Sequence, residues 1–115
     1  MSCRRDRLRP SQPRRLIMLI VTGSLTARTD TFDEVLRLSE EHVRRSRAEP
    51  GCISHAVSRD TENPLRLVFF EEWADRAALT AHFAVPASRG FAKAVAALVS
   101  QPPTMSVYEA QPIQL

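Results

Sequence analysis

The chain has 115 residues, of which 43% are hydrophobic and 25% are charged, and this size and composition are those of one small globular domain. Its net charge of +3 is uneven, because residues 1–15 hold six arginines and one aspartate (+5), whereas the other residues hold ten basic and twelve acidic side chains (−2). This distribution argues against a nucleic-acid-binding surface on the domain itself, and no apolar stretch approaches the roughly 20 residues of a membrane span.

The N-terminal segment, residues 1–15, is predicted to be a disordered basic tail, because it has little apolar content, two prolines and arginines that repel one another. A polybasic arm for nucleic acid or lipid is the functional alternative, and Met18 is an alternative start of the domain. The folded domain is assigned to residues 16–112. Cys3 and Cys52 form neither a disulfide framework nor a metal knuckle, which is typical of a cytoplasmic protein.

The first predicted element is a strand at residues 16–26, a stretch rich in Leu, Ile and Val. Thr31 and Glu34 have the spacing of a capping box, which predicts a helix of about 18 residues that begins near Phe32. One face of this helix is apolar or small at helical spacing. His42 lies among glutamates and arginines and is predicted to face solvent. A Pro-Gly pair then ends the helix.

The second half of the chain predicts a hairpin, an interrupted helix and a last strand. The turn-forming sequence TENP joins the two hairpin strands. Asp75 is positioned to cap a helix, and Pro86 interrupts that helix. The predicted segments lie at residues 52–60, 65–73, 75–83, 89–99 and 104–110.

The element order β-α-β-β-α-β is that of a ferredoxin-like split βαβ fold, in the α+β class, with an antiparallel four-stranded sheet. Helices cover only one face of such a sheet. However, the first strand and residues 67–70 (LVFF) are apolar on both faces, as strands buried on both sides are. An apolar face of this size is not left open to water. The pattern therefore predicts a homodimer that packs sheet against sheet.

Two segments resemble a known family. The stretch EPGCISHAVSRD, a Pro-containing turn and then FFEEWADRAALTAHF are similar to the antibiotic biosynthesis monooxygenase (ABM) superfamily of dimeric α+β barrels. The shared features are a Pro-Gly-Cys turn, a Glu-x-Trp strand end, a capping Asp, an apolar pair and a His, here Pro50, Gly51, Cys52, Glu71, Trp73, Asp75, Ala78, Leu79 and His82. The superfamily includes anthrone and quinol oxygenases, heme-degrading enzymes and enzymes of a phosphorylated quorum signal. The resemblance therefore specifies the fold more closely than the reaction.

The resemblance also implies site residues. Trp73 would line the ligand pocket, and its alternative is a core position at a strand end. His82 is the candidate base for a phenol or an activated C–H bond, and its alternative is a buried structural histidine. His55 stands where many relatives carry tyrosine and would be a second polar group. The proposed catalytic set is therefore His82, Trp73 and His55, and the substrate-binding set is Thr22, Phe69, Glu71, Phe83 and Phe91.

The leading functional hypothesis is a cofactor-independent monooxygenase that uses O₂ to oxidise an electron-rich aromatic (an anthrone, quinol or phenol) to a quinone. The chain contains no GxGxxG, P-loop or GxSxG motif, so no cofactor is predicted. No metal is predicted either, because no two of its histidines and glutamates have the spacing of a ligand pair on one helix. The expected partners are a small aromatic substrate, O₂ and a second copy of the chain, with no nucleic acid and no membrane.

The alternative from another class is a non-catalytic dimeric domain that binds a small apolar molecule in the same pocket. Heme degradation is a weaker hypothesis, because heme-degrading relatives carry an asparagine in the first strand and the only one here is Asn63, in the hairpin turn. Processing of a phosphorylated signal would need several basic pocket residues, which the domain barely supplies.

Overall fold

The computed structural model describes residues 17–115, which form a four-stranded sheet and three helices. The strands are β1 (Met18–Thr26), β2 (Cys52–Arg59), β3 (Arg66–Trp73) and β4 (Thr104–Ala110), and the helices are α1 (Phe32–Arg47), α2 (Arg76–Ala84) and α3 (Pro86–Ala96). The predicted basic tail lies outside the described residues, so its disorder stays a prediction, as does the extent of the domain. Across residues 17–115, no helix has the length and apolar character that crossing a membrane requires.

The sheet has the order β2-β3-β1-β4, and every neighbouring pair is antiparallel. Consecutive strands β2 and β3 form the hairpin, and β1 lies between β3 and the C-terminal strand β4. This arrangement confirms the predicted α+β, ferredoxin-like fold. The second helical unit is split: Val85 is extended, and Pro86 is the first residue of α3. The prediction that the helix resumes at residue 89 was therefore wrong, because the fixed φ of proline suits a helix start.

Helix α1 begins at Phe32, as predicted, but the capping box at Thr31 is absent. The hydroxyl of Thr31 instead donates to the carbonyl of Leu98 (2.7 Å) and accepts from the N–H of Arg28 (3.0 Å). The bond to Leu98 joins the start of α1 to the segment that follows α3. Asp75 does cap α2, where its side chain accepts from the N–H of Ala78 at 2.8 Å.

Strand β3 divides the buried interior into two apolar clusters. Leu67 and Phe69 pack with α1 and α3 in the larger cluster, while Trp73 belongs to a smaller one near α2. By the alternation of side chains along a strand, Glu71 points to this same face and falls between the clusters. A polar site is therefore built at the boundary between two apolar regions.

The turn before β2 depends on Gly51, whose φ of 81° lies in the left-handed region that favours glycine. A Cβ at this position would also clash with the Cβ of Ala78 in α2. The carbonyl of Gly51 accepts from the N–H of Ala74 at 2.8 Å, which fixes the start of α2 against this turn. The Pro-Gly-Cys sequence therefore determines where α2 lies on the sheet.

Candidate active site

The three histidines of the chain meet in the interior, at the boundary between the two apolar clusters. His42 comes from α1, His55 from β2 and His82 from α2, and each is at most 6% exposed. Their ring centroids are 5.3 to 5.7 Å apart. They are far apart in sequence, so the topology of the fold alone brings them together.

His42 does not face solvent, and this prediction was wrong. Its ring stacks on Phe91 of α3, with centroids 4.2 Å apart and planes 6° from parallel. Ser39 and Ser46, one turn away on either side, are fully buried, and such small side chains leave room for an imidazole against the sheet. The two serines are the sequence signal that identifies this face of α1.

Two carboxylates contact the histidines. The Nδ1 atom of His82 lies 2.8 Å from Oε1 of Glu49, in the turn that follows α1. Glu71 accepts a hydrogen bond from the indole N–H of Trp73 at 2.9 Å, and Nε2 of His55 lies 3.3 Å from the same oxygen. Burial by itself would raise the pKa of Glu71, but His55 and the indole N–H hold it below its ordinary value.

Sequence reasoning missed Glu49 because a glutamate near the end of an amphipathic helix is usually solvated. Its carboxylate fixes the ring of His82 and favours a proton on Nδ1, which leaves Nε2 as the acceptor. This pairing of a carboxylate with a histidine is the arrangement of a general base.

The uncharged state of His42 follows from its surroundings. Burial, together with the neighbouring His55, His82 and Arg45, lowers the pKa of His42 from 6.5 to about 4, and Glu71 opposes this shift. Between pH 4 and pH 6.5, the side chain of His42 therefore binds a proton in the unfolded chain but not in the folded chain. Folding stability contributed by neutral His42 is therefore present above pH 6.5 and is lost as the pH falls towards 4.

We expect the free energy of unfolding to fall by about 2 kcal/mol between pH 7 and pH 5 because of His42. Urea unfolding at both pH values measures this difference. In His42→Phe, the phenyl ring keeps the stack on Phe91 but does not titrate. The fall in the free energy of unfolding between pH 7 and pH 5 should therefore be about 2 kcal/mol smaller than in the wild type. An equal pH dependence in the two proteins would contradict this account of His42.

The histidine cluster opens on a cavity of about 400 Å³ between the sheet and helices α2 and α3. His42, Glu71 and His82 line it, and its other polar side chains are Ser24, Ser88, Arg89 and Thr104. The rest of the wall is mainly apolar and includes three phenylalanines, Phe69, Phe83 and Phe91. An apolar cavity of this size with a few convergent polar groups is typical of a small-molecule site.

Five of the predicted site residues therefore lie together at the cavity wall, namely Phe69, Glu71, His82, Phe83 and Phe91. Trp73 is fully buried behind the wall: its ring packs 4.6 Å from that of His82, and its N–H is already bound to Glu71. It is therefore not available to donate to a ligand. His55 also lies behind the wall, in contact with Glu71.

Thr22 is not brought to this cavity. It pairs with Phe70 and, by strand alternation, points to the face of the sheet that the helices leave uncovered. There it lines a separate depression with Ser58 and Val68. Thr22, predicted as a substrate-binding residue, therefore does not lie at the cavity beside His82, because the two side chains lie on opposite faces of the sheet.

Comparisons with known proteins agree with this architecture. A family model described as antibiotic biosynthesis monooxygenase matches residues 18–94. A Deinococcus radiodurans structure, described as a candidate antibiotic biosynthesis monooxygenase, has a TM-score of 0.80 and 26% identity over 84% of this chain and 97% of its own. Another structure, described as an antibiotic biosynthesis monooxygenase, is 33% identical, with a TM-score of 0.76 over 82% of this chain and 99% of its own.

An uncharacterised protein of Synechocystis is 33% identical over 91 residues, which are 79% of this chain. The match spans only 62% of that relative's length. A structure from Methanosarcina mazei, 20% identical with a TM-score of 0.77 over 81% of this chain and 92% of its own, shares the fold.

Proposed function

Because the chain belongs to the antibiotic biosynthesis monooxygenase family, we propose that it is a cytoplasmic, homodimeric oxygenase. It would use O₂, without a cofactor, to oxidise an electron-rich aromatic such as an anthrone, quinol or phenol to a quinone. The observation that supports this function is a histidine held by a carboxylate at the wall of an apolar, phenylalanine-lined cavity.

The proposed reaction starts with proton removal by Nε2 of His82. Glu49 stabilises the imidazolium that forms, because its carboxylate already binds Nδ1 at 2.8 Å. The mainly apolar wall favours a delocalised substrate anion over a localised one, and Arg89 is the one cationic side chain among the described residues that line the cavity. This function therefore fits a substrate whose acidic C–H or O–H is conjugated with an aromatic system.

For an anthrone-type CH₂ group the proposed steps balance without an external reductant. The substrate anion gives one electron to O₂, and the resulting radical and superoxide combine to form a C–O bond. The peroxide takes the proton from His82. Loss of the remaining C–H proton then breaks the O–O bond, leaving a carbonyl and water. One atom of O₂ enters the product and the other leaves as water.

Trp73 and His55 have positioning roles in this proposal. Trp73 packs on His82 and donates to Glu71, while His55 contacts the same carboxylate from β2. The carboxylate of Glu71 also faces the cavity. These two residues thus fix the polar wall against which the substrate would lie, and Phe69, Phe83 and Phe91 would stack on its rings.

Incubation with anthrone under ¹⁸O₂ tests this function. We expect one labelled oxygen in the quinone, one in water, and a rate above that of buffer and of heat-denatured protein. Formation of H₂O₂ with an unlabelled product, or a rate equal to that of buffer, would contradict it.

The homodimer is proposed from the uncovered face of the sheet. Phe70 and Tyr108 lie there about half exposed, at 46% and 54%, and they flank β1 from its two neighbouring strands. Val68 and Ile20 share this face by strand alternation. A second copy packed sheet against sheet would cover the whole surface.

We expect Phe70→Glu to convert the dimer into a monomer, because a dimer would bury an unpaired carboxylate between the sheets. Size-exclusion chromatography with light scattering measures the mass. Lys93→Glu changes charge at an exposed position of α3 and should leave the dimer intact. A monomeric wild type, or a Phe70→Glu variant that remains dimeric, would contradict the proposed interface.

A further inference from the structure

We propose that His42, His55 and His82 bind one divalent transition-metal ion, with three imidazole nitrogens as ligands and an open position towards the cavity. One ring nitrogen from each histidine lies within 4.8 Å of those from the other two. Sequence spacing predicts no metal because it finds no ligand pair on one helix, whereas these ligands come from three separate elements.

The cluster is close to the geometry of a bound site. Two nitrogens on one ion, each at about 2.1 Å, lie at most about 4.2 Å apart. In a tetrahedral site such nitrogens are about 3.4 Å apart, so a pair at the outer limit of 4.8 Å would have to approach by about 1.4 Å. Rotation of the imidazole rings supplies movement of this size without displacing the helices.

An independent observation is that the buried rings have unused nitrogens. Nδ1 of His42 and Nδ1 of His55 are buried without a hydrogen-bond partner among the described residues, and Nε2 of His55 has only the 3.3 Å contact with Glu71. Both side chains are more than nine-tenths buried. Buried polar atoms are almost always paired, so these nitrogens point to a ligand. A metal ion would engage a nitrogen on each ring.

The surrounding carboxylates fit such a site. Glu49 binds Nδ1 of His82 at 2.8 Å, which matches the carboxylate–histidine pairs that orient metal ligands and leaves Nε2 for the ion. Glu71, next to His55, adds a second negative charge against a divalent cation. His42 and His82 both line the cavity, so an ion between them would face it. Three histidines with one open position are typical of catalytic rather than structural metal sites.

Imidazole ligands select late first-row ions such as Co²⁺, Ni²⁺, Cu²⁺ and Zn²⁺ over Mg²⁺ or Ca²⁺.

The proposed metal site does not rest on the proposed oxygenase function. A bound ion would use Nε2 of His82, the atom that this function needs as a base. The ion should therefore inhibit cofactor-free turnover.

The test is a titration of the full-length, chelator-treated protein with Co²⁺, followed by visible absorption. We expect one equivalent per chain and the intense bands of four- or five-coordinate Co²⁺. His42→Phe should weaken binding by more than about 100-fold, and Glu49→Gln by about 10–100-fold. Two controls should bind like wild type: Glu41→Gln, which removes an exposed carboxylate of α1, and Cys3→Ser, which removes a thiol.

Absence of saturable binding, or equal affinity in wild type and folded His42→Phe, would overturn the metal site. If His42→Phe does not fold, X-ray absorption of the wild type with Co²⁺ decides instead: three imidazole ligands support the site, and one or none overturns it. Turnover separates the two proposals. If the protein oxidises substrate but does not bind Co²⁺, the metal site is wrong and the oxygenase proposal stands. If it binds Co²⁺ and oxidises substrate only with the ion bound, the metal site stands and the cofactor-free mechanism is wrong.

Discussion

Replacing His82 with alanine is expected to lower kcat for O₂-dependent oxidation by about 10²–10⁴-fold, the usual contribution of a general base. The reason is geometric: His82 lines the cavity and is held at Nδ1 by Glu49, whereas Nδ1 of His42, the other histidine of the cavity wall, has no hydrogen-bond partner among the described residues. The affinity for a substrate analogue should change little, because the phenylalanine walls remain. Steady-state oxygen consumption and equilibrium binding measure the two quantities separately.

Added imidazole provides the control for this variant. The space left by the ring of His82 adjoins the cavity, so free imidazole should restore part of the lost rate in His82→Ala and none in wild type. Glu49→Gln should retain more activity than His82→Ala, since it keeps the base and alters only its orientation. Unchanged turnover in folded His82→Ala would exclude His82 as the base. Unchanged binding with no turnover in either protein would favour the non-catalytic binding domain.

Replacing Trp73 with alanine is expected to lower the free energy of unfolding by about 3–5 kcal/mol. The side chain is fully buried and packs with Leu19, Val21 and Leu79 on one side and with His82 on another. Its removal leaves a cavity that this close-packed region fills only in part. Urea unfolding followed by circular dichroism measures the change.

Trp73→Phe separates packing from hydrogen bonding. It keeps most of the ring but removes the N–H that donates to Glu71 at 2.9 Å, so it should cost about 1–3 kcal/mol. Activity should also fall in this variant, because Glu71 at the cavity wall loses a fixed partner. A loss below about 1 kcal/mol in Trp73→Ala would contradict the core position of this residue.

Much of the fold follows from local patterns in the sequence. Alternation in residues 66–73 correctly places Phe69, Glu71 and Trp73 on one face, and Asp75 caps the following helix. The helix start at Phe32 is also correct, although its predicted cap is not. Thr31 binds Leu98, which lies 67 residues away, and no local pattern contains this contact.

The site was less predictable because it depends on contacts between elements. His42 and Glu49 both look like solvated residues of a charged helix, yet they bind or pack against groups from α2 and α3. Thr22 is a different case. Its side chain is polar, as a substrate-binding residue requires, but the strand directs it to the face of the sheet away from the cavity. Residue type identified candidates, and only the topology determined which of them meet.

The fold links these observations to the proposed chemistry. Two apolar clusters provide the stability, and the boundary between them holds every histidine of the chain beside a 400 Å³ cavity. Polar groups at such a boundary are buried enough to act in a low-dielectric environment and still face a ligand. A base, its carboxylate partner and an aromatic wall are therefore supplied by three different elements and one turn.

The most direct test of the central claim is oxygen uptake by the chelator-treated wild-type protein with a panel of anthrones, naphthohydroquinones and catechols. The account predicts that at least one compound gives saturable uptake well above its spontaneous rate, without added metal or cofactor. Uptake equal to that of buffer for every compound would contradict the oxygenase and leave a domain that only binds its ligand.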